Sequence, residues 1–96
     1  MLTLDGLRER RSEIESVARA HGASRVRVFG SVARGDATEV SDLDLLVDLD
    51  EGRSLFDLGA LLMDLRDLLG CEVDVATERS LRPRIAERVL ADAVDL

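Results

Sequence analysis

Apolar and charged side chains alternate most regularly over residues 42–49, where four aliphatic residues separate three aspartates. Successive side chains of a β-strand point to opposite faces of a sheet. The segment is therefore predicted to be a strand with one core face and one acidic face. Residues 25–29 show the same alternation, and residues 71–76 place Val73 and Val75 on one side. Three strands are predicted.

Apolar residues recur at helical spacing in three other segments, residues 3–20, 54–69 and 80–94. Each segment begins at a serine or threonine, the residue types that cap helix N-termini. The last one also carries Pro83 in its first turn, where proline is tolerated. A short helical turn is predicted at residues 32–34.

The predicted order is helix, strand, short helix, strand, helix, strand, helix. This order indicates a mixed α/β fold, a small sheet with helices packed mainly on one face. The polar face of the sheet is then free for chemistry. A chain of 96 residues accommodates one domain, residues 1–96.

Composition excludes several classes of function. All thirteen basic residues are arginine, so a Walker-type phosphate loop, which needs its lysine, is excluded. A net charge of −7 and only two aromatic residues argue against a nucleic-acid-binding protein. One cysteine permits no internal disulfide, and no apolar run approaches the length of a membrane span. We therefore expect a cytoplasmic protein that binds neither membranes nor nucleic acid directly.

The strongest candidate chemistry lies on the acidic face of the central strand. Asp42 and Asp44 are two residues apart, so both carboxylates leave the same face. Their mutual repulsion is relieved by a divalent cation, and hard oxygen ligands of this kind suit Mg²⁺. Solvated surface acids are the alternative reading of such a pair taken alone.

Two further features favour the metal-binding interpretation. Gly30 and Ser31 end the preceding strand, and such a turn lets a backbone and a hydroxyl approach phosphate oxygens closely. Asp74 lies between two core-facing valines on the third strand and so points away from the core. If that strand neighbours the Asp42–Asp44 strand, three carboxylates converge, enough to hold two metal ions for an in-line displacement.

These motifs resemble the nucleotidyltransferase superfamily with the DNA polymerase β-like catalytic fold. The resemblance is closer to its smallest branch, the minimal nucleotidyltransferases, which show Gly-Ser-x-Ala-Arg-Gly followed by Ser-Asp-x-Asp-Leu-Leu-Val. Residues 30–35 and 41–47 fit these two motifs without a gap. The resemblance covers the chain from Arg25 to the C-terminus.

The resemblance implies an antitoxin that transfers AMP from ATP to a tyrosine of a HEPN-domain toxin, an RNase, and so silences it. Asp42 and Asp44 are then expected to bind two Mg²⁺ ions, and Asp74 to ligate the catalytic ion and to assist deprotonation of the acceptor. Gly30 and Ser31 are expected to hold the nucleotide phosphates. Arg34 is a candidate for contact with the phosphates or with the acceptor segment of the partner.

Two alternative functions stay open. The chain is either a non-catalytic nucleotide-binding antitoxin that neutralises its partner by tight association, or a nucleotidyltransferase that modifies a small molecule. The second alternative normally requires an additional substrate-binding domain, for which 96 residues leave no room. Arginines 79, 82, 84 and 88 are interpreted as a solvated helix face.

Overall fold

A four-stranded sheet and five helices form the fold in the computed structural model, which describes residues 2–96. The elements, in chain order, are α1 (Leu4–Glu9), α2 (Arg11–Ala20), β1 (Ala23–Phe29), α3 (Gly30–Arg34), β2 (Leu43–Leu49), α4 (Leu55–Leu69), β3 (Val73–Ala76), a 3-10 turn (Glu78–Ser80), α5 (Pro83–Asp92) and β4 (Val94–Asp95).

The strands lie side by side in the order β3-β2-β1-β4. β1 is antiparallel to both β2 and β4, whereas β2 and β3 are parallel. A parallel pair needs a crossover connection, and α4 supplies it. The crossover places β3 directly beside the strand that carries the Asp-x-Asp motif.

The main hydrophobic core lies on one face of the sheet. Leu43, Leu45 and Val47 of β2 are buried there together with side chains from α2 and α4. On the other face, Leu46 is fully buried although it lies outside the main core cluster, and so is Val89 of α5. α5 contacts β1 and α3. The mixed α/β class is confirmed, and the acidic residues of β2 lie on the less covered face.

The central crossover helix follows the sequence prediction closely. Ser54 caps α4 by accepting a hydrogen bond from the Phe56 backbone N–H at 3.2 Å, and Asp57 accepts one from the Ser54 N–H at 2.8 Å. This reciprocal arrangement satisfies backbone donors that a helix N-terminus otherwise leaves unpaired. Gly70 ends the helix in the left-handed conformation.

The prediction of one helix over residues 3–20 is wrong. Thr3 does cap α1, but the helix ends at Glu9, and α2 begins after Arg10, whose φ and ψ of −105° and 17° interrupt the helical path. The break has no glycine or proline that would announce it. It separates Leu7 and Ile14, each buried in the core from its own helix.

The prediction for the C-terminal helix needs two corrections. Ser80 does not cap it, because Ser80 closes the 3-10 turn with Thr77, and α5 begins at Pro83 after Arg82. Val94 does not belong to it either, because α5 ends at Asp92 and Val94 pairs with Val28 as part of β4. The position of Pro83 in the first turn is confirmed.

Candidate active site

Asp42 and Asp44 leave the sheet on the face opposite the main core, as the alternation predicts. Asp44 is the second residue of β2 and is half-buried, between the buried Leu43 and Leu45. Asp42 directly precedes the strand and is exposed. The strand geometry therefore separates the two carboxylates from the leucines that fix the strand in the core.

Asp74 lies beside this pair. In the parallel ladder between β2 and β3, Asp74 is the register partner of Asp44. Register partners project from the same face, and neighbouring strands lie about 4.8 Å apart. Asp74 is exposed, whereas Val73 before it is buried in the core. The structure therefore brings the three sequence-predicted aspartates together on one face.

The electrostatics of the group agree with this proximity. Burial raises the pKa of Asp44 above its ordinary value, and the carboxylates of Asp74 and Asp42 raise it further. Arg34 acts on the same pKa in the opposite direction. The charge of Arg34 therefore does not offset the effects of burial and of the two neighbouring carboxylates on Asp44. A bound divalent cation would stabilise the ionised carboxylates at this position.

Gly30 lies against Asp44. Its φ is +73°, a conformation that glycine adopts readily, and a β-carbon at this position would collide with Asp44 Oδ2. Phe29, the residue before it, is the register partner of Asp44 on β1. Gly30 and Ser31, which were predicted to end β1, instead begin α3, and the Gly30 backbone lies directly beside the Asp44 carboxylate. Ser31 follows, half-buried in the first turn of α3.

Arg34 is held by two acids. Its Nη1 donates to Asp92 Oδ2 at 2.8 Å and its Nε to Asp36 Oδ2 at 3.3 Å. The hydrogen bond to Asp92, followed by the one to Asp36, raises the pKa of Arg34. The side chain is exposed and joins α3 to the end of α5. These bonds use two of the five N–H donors of the guanidinium, so others remain for a further contact.

The donor set suits Mg²⁺ shared with a nucleotide rather than a metal enclosed by protein. Within residues 2–96, no three His, Cys, Asp or Glu side chains are arranged to surround a metal ion by themselves. Mg²⁺ typically takes one or two carboxylates and completes its shell with water and substrate phosphates. The Asp44–Asp74 pair, with Asp42 one step along the same face, offers that incomplete shell.

The three aspartates lie outside the described cavities. Four cavities described on residues 2–96 are lined by other residues, including one of about 760 Å³ between α2 and β1. Asp42 and Asp74 are exposed, whereas Asp44 is half-buried. Arginines 79, 82, 84 and 88 are exposed, but only Arg84 and Arg88 lie on α5, because Arg79 lies in the 3-10 turn and Arg82 precedes the helix.

Sequence reasoning missed Arg27, which is buried on the same face of the sheet as Asp44. Its Nη2 lies 3.3 Å from Glu78 Oε1 and 3.5 Å from Asp48 Oδ1, and only 7% of its side chain is exposed. The alternation of residues 25–29 marks Arg27 as a surface position. It is buried because the 3-10 turn and α5 come back over this part of the sheet, which no local pattern reveals.

Among the helices of residues 2–96, none combines the length and the apolar character that a bilayer span requires.

Known proteins share both the sequence and the fold. Residues 6–96 match the nucleotidyltransferase domain family. Protein adenylyltransferase MntA of Thermococcus cleftensis is 41% identical over 98% of this chain and 96% of its own length. A solved structure provisionally described as a minimal nucleotidyltransferase is 54% identical, covers 99% of this chain and 97% of its own, and superposes with a TM-score of 0.86.

A second solved structure shares the fold at lower identity. It is a toxin–antitoxin crystal structure with AMP-PNP, 21% identical, with a TM-score of 0.75 over 88% of this chain and 69% of its own. The family match covers nearly the whole chain, and it includes the Gly-Ser turn and all three aspartates. The chain belongs to the nucleotidyltransferase domain family and is a nucleotidyltransferase of its minimal type.

Proposed function

We propose that this chain transfers AMP from ATP to a tyrosine hydroxyl of a HEPN-domain toxin and thereby acts as its antitoxin. The observation that carries the proposal is the alignment of Asp44 with Asp74 on adjacent strands, with Asp42 and the Gly30 backbone beside them. Support for a protein acceptor comes from the name of the Thermococcus relative, and support for a toxin partner from the solved toxin–antitoxin complex with an ATP analogue.

The exposure of Asp42 and Asp74 also favours a large acceptor. A small acceptor is normally held in a concave pocket that buries most of its surface. The described cavities do not contain the three aspartates. A protein acceptor that docks over the acidic face forms the rest of the acceptor site with its own surface and brings its hydroxyl to the carboxylates.

Each site residue has a role in this scheme. Asp42 and Asp44 would hold two Mg²⁺ ions, and Asp74 would be a ligand of the catalytic one. When bound, Mg²⁺ would supply positive charge that offsets the phosphate charge and that of the pyrophosphate leaving group. Gly30 and Ser31 hold the phosphates where the chain passes Asp44.

The transfer itself is a single displacement at the α-phosphorus. The acceptor oxygen bonds to this phosphorus as the bond to the pyrophosphate oxygen breaks, and pyrophosphate leaves with that electron pair. Asp74, which is exposed and in register with Asp44, would assist by accepting the proton of the acceptor hydroxyl. Arg34 contacts the phosphates or the acceptor segment through its remaining N–H donors.

The direct test is the intact mass of a candidate partner, the product of the gene adjacent to the one that encodes this chain, after co-expression of the two proteins. With the wild-type chain, we expect the partner mass to increase by whole adenylyl units. With the Asp42→Asn, Asp44→Asn double variant, we expect no increase. The matched control is Asp50→Asn, which removes one exposed carboxylate from the loop after β2, away from the site.

The outcomes separate the alternatives. A partner that is unmodified by the wild-type chain yet bound and silenced contradicts adenylylation and supports inhibition by association. Turnover of a small-molecule hydroxyl by the isolated chain, with the partner unmodified, supports the small-molecule enzyme. If the double variant still modifies the partner, Asp42 and Asp44 are not required for the transfer.

A further inference from the structure

The outward side of α4 is apolar where a surface helix is ordinarily polar. Phe56 is 90% exposed, Leu55 76% and Met63 54%. On a helix of 3.6 residues per turn, Phe56 and Met63 lie diametrically opposite the buried face formed by Leu58, Leu61 and Leu65. The side chains that point most directly into solvent are therefore a phenylalanine and a methionine.

Small residues separate these two side chains. Gly59 and Ala60 are exposed between Phe56 and Met63, and a β-carbon at Gly59 would meet nothing within 4 Å. The first charged residue on the same strip is Asp67, one turn beyond Met63. Over its first two turns α4 thus carries apolar side chains on its outward side as well as on its buried side, with Asp57 between the two sides, and exposed apolar patches of this kind often mark an interaction surface. Here nothing else in residues 2–96 covers the strip.

We propose that a second copy of this chain covers the strip, with the two α4 helices packed antiparallel about a two-fold axis near the Gly59–Ala60 peptide. Phe56 and Met63 are equally far from that peptide in opposite directions along the helix. An antiparallel two-fold pairing centred there therefore places Phe56 of one copy on Met63 of the partner copy, twice. Aromatic–thioether contacts are favourable.

The small residues at the centre fit the same arrangement. Gly59 and Ala60 present no side chain larger than a methyl group at the crossing point. The helices are therefore able to approach within the 8–10 Å interaxial distance of packed helices. The pattern of large, small, small, large along the strip is complementary to itself when reversed, as a two-fold interface requires.

The available area matches a weak dimer. With about 200 Å² for Phe56 and somewhat less for Met63 and for Leu55, which flanks the strip about a quarter turn away, the outward side of α4 offers about 400–500 Å² of apolar surface per copy. The total for two copies is about 800–1,000 Å², at the lower limit of specific interfaces. We therefore expect reversible dimerisation, with a dissociation constant on the order of micromolar.

The dimer leaves the acidic face free. α4 packs by Leu58, Leu61 and Leu65 on the main core, which lies on the sheet face opposite Asp44. Pairing through the outer side of α4 thus directs both sets of aspartates away from the interface. The inference is independent of the proposed adenylyl transfer, and its test requires neither nucleotide nor toxin.

Sedimentation equilibrium of the purified full chain from 1 to about 200 μM tests the pairing. We expect the wild type to approach the dimer mass with increasing concentration. Phe56→Asp, which sets an acid against Met63 of the partner copy, is expected to raise the dimer dissociation constant at least tenfold. Ile85→Asp is the control, since Ile85 is an exposed apolar residue of α5 outside the strip, and it is expected to dimerise like the wild type.

Cysteine cross-linking tests the register of the helices. In a Cys71→Ser background, which removes the only cysteine, Ala60→Cys places its thiol beside its own symmetry mate, and mild oxidation is expected to give a disulfide-linked dimer. Asp67→Cys is the control, because its two copies lie about 20 Å apart in this arrangement. A disulfide needs Cα atoms within about 7 Å, so this control is expected to remain uncross-linked.

Three results would overturn the inference. They are a wild type that stays monomeric at the highest concentration, a dimer as tight in Phe56→Asp as in the wild type, and equal cross-linking of the two cysteine variants. In the first case, protection of Phe56 only in the presence of the toxin would assign the strip to that partner instead.

Discussion

Substitution of Gly30 by alanine is expected both to strain the backbone and to displace Asp44. The same substitution at Gly35 is expected to strain the backbone only. Gly30 has a φ of +73°, and a β-carbon there would collide with Asp44 Oδ2. Gly35, at the other end of α3, has a φ of +81°, but a β-carbon there would meet nothing within 4 Å. Both alanine variants carry the same left-handed strain, and only Gly30→Ala also displaces the carboxylate of Asp44.

The expected magnitudes differ between stability and activity. A left-handed alanine costs about 1–2 kcal/mol, so both variants lose that amount of free energy of unfolding. For a domain of this size, each kcal/mol lowers the melting temperature by about 4–8 °C. Asp44 is displaced by roughly 1 Å in Gly30→Ala, and a misplacement of that size typically costs about 100-fold in rate.

Two assays on the same preparations separate these effects. Urea denaturation gives the free energy of unfolding of each variant, and the rate of adenylyl transfer to the co-purified partner gives the activity. We expect similar losses of stability, with a loss of activity about 100-fold larger in Gly30→Ala than in Gly35→Ala. Equal rates in the two folded variants would refute the inference that the Gly30 backbone sets the position of Asp44.

Three further predictions concern the scaffold. Ser54→Ala removes the cap of α4 and is expected to lower the free energy of unfolding by about 1 kcal/mol; an unchanged urea midpoint would contradict this. The hydrogen bond from the Ser54 backbone N–H, and after it the one from Arg53, lowers the pKa of Asp57. The ionised Asp57 therefore stabilises the fold above its unfolded-state pKa, and this stabilisation is lost as pH falls through its folded-state pKa. Asp57→Asn should therefore be less stable than the wild type at neutral pH, with the difference vanishing in acid, and a constant difference in urea titrations would be evidence against it. Arg27→Ala should lose about 2–4 kcal/mol through lost packing, whereas Arg27→Met should stay within about 1 kcal/mol because Asp48 and Glu78 are half exposed and rehydrate. Equal melting temperatures of these two variants would contradict that explanation.

Local periodicity predicted the parts of the site that lie on one strand. The alternation around Asp44 specifies which side chains enter the core, because a shift of one residue would bury the aspartates and expose the leucines. The cap at Ser54 and the stop at Gly70 were likewise predicted, because capping depends on residues adjacent in sequence. These features can be predicted without knowledge of the strand order, and the structure confirms them.

The convergence of the site depends on contacts between distant residues. Asp74 meets Asp44 only because α4 returns the chain to place β3 parallel to β2 in one particular register. The burial of Arg27 depends in the same way on the return of the 3-10 turn and α5. No local pattern encodes either contact. The sequence therefore predicted that Asp74 meets Asp44 only on the condition that their strands are neighbours, and it did not predict the burial of Arg27.

The errors at the chain ends have similar causes. At Arg10 the helix breaks without a glycine or proline, and Arg8 and Arg11 on either side of the break donate to the backbone carbonyl of Leu96. β4 has only two residues, too few to show a period, and Val94 enters the sheet because it pairs with Val28. In both places, tertiary contacts with the end of the chain decide the local structure.

The central claim is that the three aspartates direct transfer of the α-phosphoryl group with its nucleoside to a protein hydroxyl. The most direct measurement incubates the purified chain and the adjacent gene's product with ATP labelled at the α- or at the γ-phosphorus, for the wild type and for Asp74→Asn. We predict that the partner gains the α-label and never the γ-label, and that Asp74→Asn transfers neither. Incorporation of the γ-label, or of no label by a wild-type chain that binds its partner, would contradict the claim.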